Sequence, residues 1–379
     1  MLLLCPSFLL LATYRASASP PQIPLSNPSK ADQDDRTVRV NRLLVHRPVS
    51  QDDFREARVM SRRGKNMHVE WKEDKVLATN VADIDTLTVL EKMASDAYVP
   101  PGDSSWYGLG DGWNVSHPYG WEPDADGFRG HVFATPDNST IVIAIKGTTA
   151  SFLGSGGPTA KKDKLNDNLF WSCCCARVDW TWTPVCGCYS GTGKCDTDCL
   201  EDALQEESLF YPIGTNLYNK IVYMYPNAIS GLGGGLASLI GVTFGAPVVA
   251  YESLGERMAA ERLHLPSPPS AHHVTHVYHT ADPVAMGACT GTYSTCYITG
   301  FAVETHCHLG RSIVYDTVTR LKWAVDIRTH PLKVVIEQIL SLDWEVPPAD
   351  IEEDCVECYA WEFGDFKDKN ATLKALPPV

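Results

Sequence analysis

Basic residues are in short supply in this 379-residue chain: Lys and Arg total 32 against 46 Asp and Glu, a formal charge of −14. Phosphate binding wants a basic face, so no nucleic-acid partner is expected. Long apolar runs are scarce too. Residues 1–13 are nearly all apolar, but Pro6 and Ser7 break the run and Tyr14 and Arg15 follow it. A membrane span needs roughly 20 apolar residues, more than this run supplies. A basic segment ahead of it is also missing. Ala16, Ser17 and Ala18 fit a secretory cleavage pattern. Residues 1–18 therefore read as a signal peptide, with an uncleaved signal-anchor as the alternative. Internal repeats and long low-complexity tracts are absent. What is present, 44% hydrophobic and 21% charged residues, is the composition of a soluble globular protein.

Cysteine is plentiful. Of 13 cysteines, Cys5 lies in the leader and seven crowd into 173–199. The twelve that a mature chain would keep are an even number behind a targeting segment, which implies an oxidising compartment and disulfides. A zinc site would use Cys186, Cys188, Cys195 and Cys199, but their spacing departs from the usual two-residue knuckles. No metal or cofactor is expected. The sequons at Asn114, Asn138 and Asn370 fit passage through the secretory pathway.

Residues 19–78 are polar, proline-bearing and weakly periodic, and read as a flexible extension. Helical spacing begins at 83–97. Residues 130–134 and 140–146 read as strands, the second apolar enough for a sheet buried on both faces. A cysteine-rich insertion occupies 161–200. Beyond it, helical spacing over 201–225 is followed by helix 234–243, strand 246–251, helix 255–263 and strand 273–279. This alternation predicts an α/β fold, mostly parallel, with helices on both faces. A helix over 331–340 closes a domain spanning 79–345, and 346–379 reads as an acidic tail.

The residues with chemical potential lie around Gly231-Leu232-Gly233-Gly234-Gly235, a glycine run that opens a helix of small residues. In α/β-hydrolases a strand turns sharply into a helix, and the nucleophilic serine sits there among small neighbours. Here the serine is Ser230. Asp282, just past strand 273–279, is placed to be the acid, and His330, ahead of the last helix, to be the base; the order Ser, acid, His is that of the fold. As structural residues, Asp282 would be a turn residue before Pro283 and His330 a helix-flanking histidine. The strand end before Gly147 and Thr148 offers one oxyanion amide and Leu232 the other. His273 and His279 fall on one strand face and His276 on the other, which argues for structural roles rather than one metal site. Trp171, Trp180 and Trp182 offer either a lipid-facing patch or core packing.

Across most of the chain, about 82–367, these segments resemble the fungal autophagic lipases, class 3 (triacylglycerol lipase-like) α/β-hydrolases. The resemblance is carried by KKDKLNDN at 161–168, WSCCCARVDW at 171–180, ESLFYP at 207–212, FGAP at 244–247, RLHLPSPP at 262–269, VYHTADP at 277–283 and YAWEFGD at 359–365. It implies hydrolysis of acyl esters in phospholipid and triacylglycerol, at the surface of intravacuolar vesicles, to break up autophagic bodies. It also implies a single-pass type II membrane protein of multivesicular bodies, with a lumenal catalytic domain reaching the vacuole; secretion is the alternative. Asp282, His330 and Thr148 match the family's acid, base and oxyanion turn.

The departure is at the nucleophile. Relatives read Gly-His-Ser-Leu-Gly-Gly after a strand of several residues, whereas only Asn227 to Gly231 separate Pro226 from Leu232 here. Five extended residues span about 17 Å, which must serve strand and turn together. Either residues 221–225 are drawn in as strand and Ser230 approaches the turn, or no serine reaches His330 and the chain is inactive.

Overall fold

The computed structural model describes residues 38–122, 127–147, 160–179, 181–205, 209–226, 229–233, 235–291 and 293–366. The order begins with strand β1 (Val40–Pro48), helix α1 (Gln51–Arg62), β2 (Trp71–Thr79) and helix α2 (Ile84–Asp96). Strands β3 (Asn114–Tyr119), β4 (Gly130–Ala134) and β5 (Thr140–Ile145) follow. The insertion holds α3 (Ala160–Phe170), β6 (Lys194–Asp196) and α4 (Thr197–Ala203). Then come α5 (Phe210–Met224), β7 (Ile229–Gly233), α6 (Gly235–Phe244), β8 (Val248–Tyr251), α7 (Arg257–Arg262) and β9 (Val274–His279). The chain continues with α8 (Thr295–Thr299), β10 (Arg311–Tyr315), α9 (Thr317–Leu321), α10 (Leu332–Val335), β11 (Ala349–Asp350) and β12 (Glu362–Gly364).

Eight strands form one sheet in the order β11-β10-β9-β8-β7-β5-β4-β3. The five central strands, β5 and β7 to β10, are mutually parallel; β3, β4 and β11 add antiparallel edges. Parallel strands are buried on both faces. Every residue of β8 and β9 is accordingly buried, the polar His276 and His279 included. Two apolar clusters cover the faces, one with Ile141, Ile143, Leu239 and Ile240, the other with Leu87, Met93, Val142 and Val277. The expected α/β architecture is therefore the observed one. Helix α6 lies close on the sheet because Gly241 has no side chain: a Cβ there would come within 2.4 Å of Val248 Cγ2.

Two expectations change. The segment 19–78, read as flexible, is regular structure from Val40 onward. β1 and β2 pair antiparallel in full register from Val40↔Thr79 to Pro48↔Trp71. Between them, Ser50 caps α1 by accepting from Asp53 N at 3.1 Å. Phe54 on α1 is 1% exposed and stands edge-on to Trp71, within the same cluster as the sheet's lower face. The tail is tethered as well. Of six disulfides among the described residues, Cys173–Cys358 and Cys307–Cys355 hold it to the body; Cys174–Cys195, Cys175–Cys186, Cys188–Cys199 and Cys289–Cys296 are local. All four cysteines of the zinc alternative are engaged in these bonds. Residue 354 is thus far from free-swinging, and β12 adds a parallel ladder to β6.

If the hairpin and α1 belong to the core, Phe54→Ala should cost about 3–5 kcal/mol, the usual penalty for emptying a buried aromatic site. The denaturation midpoint of the full chain measures this. A loss below about 0.5 kcal/mol, the range of surface changes, would return the segment to a loose extension.

Candidate active site

The carboxyl ends of the parallel strands form one edge of the sheet, where open α/β sheets place their chemistry. Asp282 sits there, three residues past the end of β9, and is fully buried. Its Oδ2 accepts from His330 Nδ1 at 2.8 Å and its Oδ1 from Val284 N at 2.8 Å. With its Nδ1–H given to the carboxylate, the neutral His330 ring keeps a lone pair on Nε2 for a proton. The ring is partly exposed, at 27%.

The loop bearing His330 is held by polar contacts to the loop bearing Asp282. Asp326 N donates to Ala281 O at 3.1 Å, and Thr329 Oγ1 to Ala281 O at 3.0 Å. His279 Nε2 donates to Thr329 O at 3.2 Å, while its Nδ1 lies 3.0 Å from Thr317 Oγ1. His279 thus serves the scaffold. So do its neighbours: His273 Nε2 donates to Gly241 O at 3.1 Å, and His276 lies between Ser253 Oγ at 2.9 Å and Glu256 Oε1 at 2.8 Å. Ser253, His276 and Glu256 have the composition of a catalytic triad. Yet His276 and Glu256 are fully buried, which closes the ring to any substrate.

Charge at the site follows from these contacts. Burial would raise the Asp282 carboxyl, but the His330 charge and hydrogen bonds from His330, Glu252 and Val284 N bring it down to about 2. Burial pulls the His330 imidazole down; the charge of Asp282, their hydrogen bond and the charge of Asp167 outweigh it and leave the ring above its ordinary value. Asp167 comes from α3, inside the cysteine-rich insertion. The same helix supplies Asp163, which takes the buried Lys146 ammonium at 2.7 Å at the end of β5. The turn after Lys146 is shaped by Gly147, where a Cβ would come within 2.5 Å of the Tyr98 hydroxyl. Thr148, the expected oxyanion residue, lies outside the described residues, as do Trp180 and Asn370.

The expected nucleophile is not at this edge. Residues 221–225 are not drawn in as strand, for α5 continues to Met224. The strand is made from 229–233 themselves, and Ser230 pairs with Ile141, near the start of β5. Leu232 is level with Val248, which is level with Val274. Leu232 therefore stands five residues short of His279, about 17 Å at the rise of a parallel strand. Ser230, two residues further back, stands about 23 Å from that level. In this register the backbone of Ser230 and Leu232 lies below the level of His279. Trp171 and Trp182 are 6% and 5% exposed, so of the two roles open to them it is core packing that they take. Sequence reasoning also missed Glu252 and Asp167, buried acids that carry no local pattern. A cavity of about 360 Å³, lined by residues including Asn41, Val248, His273 and Arg311, lies at the opposite, amino-terminal edge of the strands.

An acid–histidine pair on two loops at the carboxyl edge of a parallel sheet is the arrangement in which α/β-hydrolases hold their acid and base. No family model matches the chain. Among curated proteins, it is 48% identical to "Putative lipase ATG15" of Cryptococcus neoformans, a match covering 78% of this chain and 70% of that one. Proteins of the same name match from Mycosarcoma maydis, at 45% identity over 81% of this chain and 62% of the relative, and from Saccharomyces cerevisiae, at 42% over 82% and 62%. The chain belongs to this family of fungal ATG15 proteins.

Two outcomes follow. Asp282→Asn should lower the titration midpoint of the His330 ring, followed by NMR, since the variant removes the charge that raises it; an unchanged midpoint would refute the coupling. Stability carries the matching sign. The Asp282 contribution is present above its ordinary value of 3.8 and lost as pH falls through about 2. The His330 contribution is complete below its ordinary value of 6.5 and lost as pH rises through the raised one. Asp96, also fully buried, behaves oppositely: burial, against a hydrogen bond from Tyr107 N, raises its carboxyl from 3.8 to about 7. Keeping that proton destabilises the fold progressively as pH rises between those values. Asp96→Asn should flatten this fall, measured as denaturation midpoints at the two ends of the range.

Proposed function

We propose that this site is built for serine-type hydrolysis of acyl esters in membrane and neutral lipids, with Asp282 orienting His330 and His330 relaying the nucleophile's proton. The observation that carries the reading is the 2.8 Å contact between His330 Nδ1 and the buried Asp282 carboxylate at the carboxyl edge of a parallel sheet. In such an enzyme the carboxylate holds the ring in one tautomer and stabilises the imidazolium formed as the serine attacks. Oxyanion donors would come from the Thr148 turn and the amino end of α6. The relatives' name supports lipid substrates and a role in lysing autophagic bodies within the vacuole. An oxidising, lumenal setting agrees with six disulfides and with sequons at Asn114 and Asn138, both on exposed residues. No helix among the described residues is long and apolar enough to cross a membrane.

A second reading has its own observation. With Ser230 about 23 Å short of the edge, the chain is a lipid-binding homologue that keeps the acid–base pair without a nucleophile. One experiment separates the two. The purified chain is treated with a fluorophosphonate probe and assayed on a short-chain ester and on liposomes, alongside a variant with Gly-His-Ser inserted before Leu232. The insertion should bring probe labelling and ester turnover that Ser230→Ala does not remove. Labelling of Ser230 in the native chain would overturn the register argument. A silent insertion variant that still binds liposomes would establish the binding homologue.

A further inference from the structure

The cavity at the amino-terminal edge of the sheet plays no part in the acid–base chemistry. It is lined by the starts of three parallel strands, with Val248 on β8, Thr275 on β9 and Arg311 on β10. The β1–β2 hairpin contributes Leu43 and Ala78, and the segment before β11 contributes Pro348. Arg311 is level with Thr275, and Ile313 follows two residues on, so these three side chains share one face of the sheet. At about 360 Å³ the space falls within the roughly 300–1,000 Å³ of small-ligand sites.

Arg311 is the only charged residue in the lining. Its guanidinium stays ionised and carries five N–H donors. No acceptor among the described residues takes any of them, and Nε is sealed from solvent without a partner. The acids beside the lining do not answer it. Asp83 pairs with Arg39 at 2.8 Å, Glu345 is exposed, and Asp350 is level with Ser312, on the opposite face from Arg311. Burial lowers the guanidinium from its ordinary value, and no neighbouring charge opposes the shift. His273 is the other titratable group of the lining. It donates Nε2–H to Gly241 O at 3.1 Å, and burial brings it down to about 4, so the ring is neutral. Its unpartnered Nδ1 can accept but not donate, so it cannot hold an anion.

A half-buried cation without a counter-charge is unfavourable, and a bound anion relieves it. One guanidinium balances one negative charge. A phosphate monoester carries nearly two at neutral pH, whereas a carboxylate carries one and matches the planar fork of arginine. The apolar remainder of the wall suits a hydrocarbon body. We propose that this cavity binds an aliphatic carboxylate, with its anionic end on Arg311 and its chain against Leu43, Ala78, Ile313 and Pro348. Such an acid is what hydrolysis of an acyl ester releases. The site lies at the far end of the strands from His330, however, and does not depend on the hydrolase reading.

The test titrates the full-length chain by calorimetry with decanoate, decanol and decyl phosphate, each below its micelle-forming concentration. Decanoate should bind one-to-one and at least about tenfold tighter than decanol, the weight of one charge-assisted contact. Arg311→Gln should bring decanoate down to the decanol level. Val81→Trp, whose larger ring would occupy the cavity, should abolish both. His330→Ala should bind as the native chain does, which separates this cavity from any acyl-binding surface at the active edge. Equal affinity for decanoate and decanol overturns the proposal. So does native affinity in Arg311→Gln or Val81→Trp, or loss of binding in His330→Ala. Tighter binding of decyl phosphate than of decanoate overturns the carboxylate assignment. If Arg311→Gln does not fold, Val81→Trp and the decanol comparison still decide. A chain that binds decanoate through Arg311 yet shows no probe labelling and no ester turnover would sink the hydrolase reading alone.

Discussion

The active edge depends on how many residues lie between the end of α5 at Met224 and the start of α6 at Gly235. They must leave one helix, cross the sheet as β7 between β5 and β8, and turn into the next helix. A strand of five residues covers about 17 Å, and it consumes 229–233 entirely. Pro226 and α5 occupy the residues that would otherwise be strand, and a strand drawn from them would forfeit the burial of Ile221 and Tyr218. The sheet therefore takes Ser230 into the interior register of β7. The acid and the histidine are unaffected because their loops hang from β9 and from one another, through Ala281, Asp326 and Thr329, and not from β7.

This separation accounts for an acid–base pair with sound geometry while Ser230 stays within β7. In a parallel sheet each strand contributes its own loop to the carboxyl edge, and the loops are positioned independently. A change in the length of one strand shifts that strand's functional group without dragging the others. His279 makes the independence physical: one ring bridges Thr317 and the Thr329 carbonyl, tying three loops together on the far side of the sheet from β7.

Much of this was legible in the sequence, and the reasons are specific. Residues 140–146 are a near-continuous apolar run and 273–279 alternate histidine with β-branched and aromatic residues, so β5 and β9 were readable, and Asp282 followed from its place after β9. The helix over 83–97 announced itself by spacing and by Asp83, which caps α2 by accepting from Thr86 N. The hairpin at 40–79 was not readable, because β1 and β2 leave most of their residues exposed or half-buried and α1 buries only Phe54 and Ala57. Glu252, Glu91 and Asp96 could not be found by pattern, since a buried acid looks like a surface acid until the fold encloses it. Cysteine pairing is equally invisible from spacing: three consecutive cysteines, 173 to 175, bond to partners 185, 21 and 11 residues away.

Two sets of titratable groups with opposite demands share this fold. Asp282 favours the folded state only while it is ionised, and His330 only while it is protonated, so together they reward a range between the carboxylate and imidazole values. Glu91, Asp96 and Glu252 are buried without cations, and burial leads in raising each of them, so each penalises folding as pH rises beyond the ordinary carboxylate range. Acid costs the fold the first contribution; alkali costs it both the second and the buried protons. The overlap is mildly acidic.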